Sequence, residues 1–90
     1  MVPEDDWRLD FARAHLTGAS FRRKKYYRWS EKWDHDHCSA CWATFSLHDG
    51  ADYLKEGYAV TADYKLGEDY AWVCPKCFED LKDNLAWTAV

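Results

Sequence analysis

The sequence predicts a small α+β domain, and three observations carry that prediction. Two short cysteine pairs, Cys38-Ser39-Ala40-Cys41 and Cys74-Pro75-Lys76-Cys77, use all four cysteines of the chain. The segments around and between them alternate apolar and polar residues with the period of two that marks half-buried strands. An amphipathic run at each end keeps helical spacing instead.

Each cysteine pair has two residues between its members, so both sulfurs of one turn can face one ion. Two such turns complete a tetrahedral tetrathiolate site, and Cys38, Cys41, Cys74 and Cys77 are the expected ligands of one structural Zn²⁺. Two disulfides are the arithmetical rival. The opening Met1-Val2-Pro3-Glu4-Asp5-Asp6 is acidic and has no apolar run, so the expectation is no secretory leader, a reducing compartment and a cytoplasmic location. A redox role for Cys74-Pro75-Lys76-Cys77 leaves the other pair without a purpose, and iron–sulfur clusters commonly place three cysteines close together.

Ninety residues are near the lower limit for a self-sufficient core, so a bound metal would supply part of the stability. Six Trp and six Tyr argue for a folded chain and exceed what so small a core readily buries. No stretch has the apolar length of a membrane span, and no membrane partner is expected. The net charge of −4 works against general attraction to nucleic acid.

Taken in order, Asp5 to Leu16 reads as a helix with Trp7, Phe11 and Ala14 at i, i+4 and i+7, a stripe widened by Leu9, Ala12 and Leu16. Gly18 ends it. Phe21 to Trp29 reads as a basic strand, with Phe21, Arg23, Lys25, Tyr27 and Trp29 on one side and Arg22, Lys24, Tyr26 and Arg28 on the other. The cations either contact phosphates beside stacking rings or guard a sheet edge against pairing with another chain. The acidic balance of the chain favours the guarded edge.

In Asp34-His35-Asp36-His37 the two histidines share one strand face and the two carboxylates the other. This pattern fits a second metal site or a polar surround of the cysteines, and with no further ligand nearby no second ion is expected. Trp42 to Leu47 reads as a short strand with Ala43, Phe45 and Leu47 on one side, and Ala51 to Lys55 as a helical turn. Strands at Tyr58-Thr61 and Tyr70-Val73 pair as a hairpin that delivers Cys74. Pro75 then suits the first turn of a helix whose buried stripe is Phe78, Leu81 and Leu85. Trp87 can fold back or stay exposed.

A cysteine knuckle, a hairpin and a second pair opening a helix form the order found in treble-clef zinc fingers, which residues 33–87 resemble; the zinc ribbon is the near alternative. Residues 1–32 would add the N-terminal helix and basic strand within a single 1–90 domain. With Trp33-Asp34-His35-Asp36-His37-Cys38, Glu56-Gly57-Tyr58-Ala59 and Trp72-Val73-Cys74 quoted together, the chain also looks like short bacterial zinc-binding proteins of this length. That resemblance implies a bacterial source and no particular activity. Many treble clefs carry a glycine just after the knuckle; Ser39-Ala40-Cys41-Trp42 has none.

Four cysteines close the coordination sphere of a zinc ion, so no enzyme is expected. The leading expectation is a protein-binding adaptor or inhibitor, with exposed Tyr27, Trp29, Trp33 or Trp42 as anchors. The alternative is nucleic-acid binding through Arg22, Arg23, Lys24, Lys25 and Arg28 beside those rings. The sequence specifies neither the partner nor the oligomeric state.

Overall fold

In the computed structural model, which describes residues 1–27, 35–48 and 52–90, the first regular element is helix α1, Leu9–Leu16. It is shorter than expected because Asp6 is drawn into a turn: its carboxylate accepts the backbone N–H and the guanidinium of Arg8. The buried face is Leu9, Ala12 and Leu16, whereas Trp7, Phe11 and Ala14 are exposed. The stripe expected to be central therefore lies outside the core. Gly18 leaves the helix at φ +76°, a left-handed conformation that glycine adopts without a Cβ penalty, and its N–H reaches the Leu85 carbonyl at 2.7 Å.

Strand β1, Ser20–Lys25, carries the basic block. The next strands are β2, His35–His37, β3, Thr44–Ser46, β4, Glu56–Val60, and β5, Trp72–Val73. Helix α2, Pro75–Leu85, and a two-residue strand β6, Thr88–Ala89, complete the described chain. A four-stranded sheet runs β5-β4-β1-β6, with β1 and β4 antiparallel from Phe21↔Val60 to Lys25↔Glu56. The expected hairpin is present, with Tyr58 opposite Val73 and Ala59 opposite Trp72. β1 is interior where β6 runs parallel to it, at Ser20 and Phe21, so the guarded-edge reading does not hold for the whole strand. Regular strand ends at Lys25, and although Tyr26 still bonds the Lys55 carbonyl, Tyr27 breaks the alternation to reach Asp69. Arg28 and Trp29 lie outside the described residues, as do Trp33, Asp34 and Ala51.

The two sheet faces are covered differently. Phe78 of α2 stacks on Tyr58 with ring centroids 3.8 Å apart and meets Phe21 edge-on, so the helices cover the face that carries Phe21 and Tyr58. The opposite face carries Ala59, Trp72 and Gly57, and there Phe45 of the β2–β3 hairpin packs against Trp72 and Tyr26. Gly57 makes this possible: a Cβ at that position would sit 2.8 Å from both the Phe45 ring and the Val73 carbonyl. The expected helical turn before it is instead an extended passage in which Leu54 bridges to Phe45. Ala86 closes α2 in a left-handed conformation, which turns Trp87 back into the core, where its indole N–H donates to the Leu16 carbonyl at 2.8 Å.

Candidate metal centre

The β2–β3 hairpin presents the first cysteine pair at its tip. Cys38 closes the turn through its N–H to the Ala43 carbonyl and its own carbonyl to the Trp42 N–H. The Ser39 N–H bonds the Trp72 carbonyl at 2.8 Å, which fastens this turn to the strand that delivers the second pair. Cys74 is the N-cap of α2, its sulfur accepting the Cys77 N–H at 3.4 Å, and Pro75 fills the first helical position. One side chain is thus both a candidate ligand and the helix cap.

All four sulfurs lie within 4.8 Å of one another. A tetrahedral ion with bonds of about 2.3 Å spaces its sulfur ligands about 3.8 Å apart, and Cys41 and Cys74 have their sulfurs 3.7 Å apart. No disulfide joins them. Backbone N–H groups of Ala40, Cys41 and Cys74 point at the Cys38 sulfur at 3.3 to 3.5 Å, a donor set that stabilises a thiolate. The Cys38 thiol is held down to about 2, chiefly by donation from the Cys74 and Cys77 thiols and then by the backbone N–H groups of Cys41 and Cys74. The same negative sulfur pushes Cys74 up to about 12 and raises Cys77 as well. The cluster can hold one metal ion.

Arg8 completes this centre, and nothing in the sequence pointed to it. Its Nη1 lies 3.6 Å from the Cys77 sulfur and 3.0 Å from Asp80, while Nε and Nη2 bind Asp6. The side chain is 13% exposed. A tetrathiolate around a dication carries two net negative charges, and this guanidinium is placed to offset one of them.

The other residues singled out from sequence lie in different surroundings. Arg23 pairs with Glu56 at 3.0 Å and lies over the Tyr58 ring, and Lys24 binds Asp69 at 2.7 Å, so both are held by acids of the fold. Arg22 and Lys25 are exposed. Trp42 stands beside the first cysteine turn and Tyr27 beside Trp72, both on one groove of about 750 Å³. His35 and His37 are exposed, their rings 5.1 Å apart, and they line a smaller hollow with His48. Among the described residues, the four cysteines are the group whose ligand atoms converge.

Fold and site together define a small α+β domain with a tetracysteine cluster fit to hold a metal ion. The sequence matches no family model, and neither the curated proteins nor the solved structures contain a similar chain. No helix among the described residues is long and apolar enough to cross a membrane.

Proposed function

We propose that the chain is a non-enzymatic protein-binding module of treble-clef type, braced by one structural Zn²⁺ on Cys38, Cys41, Cys74 and Cys77. One observation carries the reading: the residues that bracket both cysteine pairs also line the exposed aromatic groove. His37 and Trp42 flank the first pair, Ser39 lies within it, and Ala71 and Trp72 precede the second. The ion adds to the Ser39–Trp72 hydrogen bond in holding the two turns together, and the groove lies where they meet. Sulfur spacing near that of a tetrahedral ion and an all-thiolate donor set favour zinc in a closed, structural role.

A partner protein is favoured over nucleic acid because, among the described residues, the cations of the basic strand do not form a continuous patch. Arg23 and Lys24 are paired with Glu56 and Asp69, whereas exposed rings gather on the groove. The test is capture of partners by the immobilised, zinc-loaded chain with and without a chelator. Zinc-dependent capture of a protein that survives nuclease treatment supports the reading; capture of nucleic acid alone contradicts it.

A further inference from the structure

The groove beside the cysteine cluster has aromatic walls and a negative lining. Trp42 is 61% exposed, Tyr70 59% and Phe11 47%, and all three line the groove together with Tyr27 and the buried Trp72. The charged lining consists of Asp36, Glu68 and Asp69, with His37 as the accompanying imidazole. Lys24 offsets Asp69, whose carboxylate also receives the Tyr27 hydroxyl, and Asp36 accepts the Tyr26 hydroxyl at 2.8 Å. Glu68 stands exposed at the rim. The combined field of Asp69, Glu68 and Asp36 also acts on the Tyr27 phenol, which is pushed up to about 12, first by its hydrogen bond to Asp69.

Trp42 supplies a second, independent observation. It sits at φ +66°, the left-handed region that costs a non-glycine residue about 1 to 2 kcal/mol, at the position after the knuckle where glycine would fit without strain. Its side chain is mostly in water, with His37 and Phe11 as its ring neighbours at 5.5 and 6.5 Å. The fold gains little from so large a ring there. Strain of this kind, held by surrounding structure beside an open groove, is found where a side chain has a binding task.

Resting on the protein-binding reading above, we infer that this groove selects a basic segment of the partner, an Arg or Lys side chain lying across Trp42 and Tyr70. The ring faces attract the cation, and the exposed Glu68 carboxylate gives it charge complementarity. An anionic segment meets Glu68 as repulsion, and a purely aliphatic one gains the walls but leaves Glu68 without a cation.

The experiment uses the zinc-loaded full chain and three nine-residue peptides in which glycine alternates with Arg, Glu or Leu. Binding is followed by calorimetry and by the indole N–H resonance of Trp42. The Arg peptide is expected to bind and shift that resonance, and to weaken as salt rises. Trp42→Ala should weaken it roughly tenfold, and Glu68→Gln roughly threefold. Zinc content and circular dichroism establish that each variant is folded, and Tyr70→Ala gives a second reading if Trp42→Ala disturbs the turn. Equal or tighter binding of the Leu peptide, lost in Trp42→Ala, overturns the cationic selection and leaves the protein-binding groove standing. No binding of any peptide overturns both. A dimer in sedimentation that Trp42→Ala dissociates makes a second copy the occupant and also overturns the proposal.

Discussion

Replacing Arg8 with Gln removes a guanidinium that joins the N-terminal turn, helix α2 and the cysteine cluster. The side chain is 13% exposed and donates to Asp6, Asp80 and the Cys77 sulfur. Hydrogen bonds to charged groups contribute about 1.5 to 3 kcal/mol each, but partners that share one donor are not additive. A net loss of about 2 kcal/mol follows for the variant, because Asp6 and Asp80 regain water when the cation leaves. For a chain of this size each kcal/mol moves the melting temperature by about 4 to 8 °C, so a fall of about 10 °C is expected at saturating metal. The same change leaves the tetrathiolate charge without its neighbouring cation, and metal affinity should drop about 10-fold or more in competition with a chromophoric chelator. Arg8→Lys keeps the charge without the planar fork and should fall between the two. If Arg8→Gln melts within about 2 °C of the parent and competes equally for metal, the guanidinium does not brace the centre.

Gly57→Ala places a methyl group 2.8 Å from the Phe45 ring and the Val73 carbonyl; the urea midpoint should fall by the equivalent of about 2 to 3 kcal/mol, and an unchanged midpoint would contradict the packing of the hairpin on the sheet. The Tyr27 phenol donates to Asp69 and is raised to about 12, so the stabilisation from this bond is complete below about pH 10, where an unfolded tyrosine is still protonated, and is lost as pH rises through the folded value. Ultraviolet titration should show one tyrosine ionising last, and Asp69→Asn should bring it down towards the others. Arg22 and Lys25 are exposed, and changing both to Ala should leave nucleic-acid binding undetectable before and after; a mobility shift near physiological salt that the double change abolishes would reverse the choice of partner class.

Local chemistry made much of this fold legible. The cysteine spacing, Pro75 with the Phe78, Leu81 and Leu85 stripe, Gly18 as a helix stop and the β4–β5 hairpin are each written within a few neighbouring residues. What was not legible depends on contacts distant in sequence. Trp7 and Phe11 keep helical spacing with the core, and nothing local says that Leu9, Ala12 and Leu16 win the buried side. Arg8 meets Cys77 across 69 positions, and an arginine in an acidic first turn carries no mark of such a partner. β6 is two residues long and is recruited by β1 once Ala86 has turned the chain. The missing knuckle glycine was a readable clue: Trp42 adopts the conformation that glycine would have taken.

Whether a metal ion unites the two cysteine turns is tested most directly by metal content measured alongside structure. Elemental analysis of the purified chain should find about one Zn²⁺ per molecule, and a strong chelator should remove it with cooperative loss of helical and near-ultraviolet signals that added zinc restores. Cys74→Ser should lose the ion, whereas the start of helix α2 keeps a cap, because a serine hydroxyl can accept the Cys77 N–H that the sulfur now accepts. A chain that is metal-free as isolated, takes up no zinc and keeps its fold in chelator would contradict the central claim.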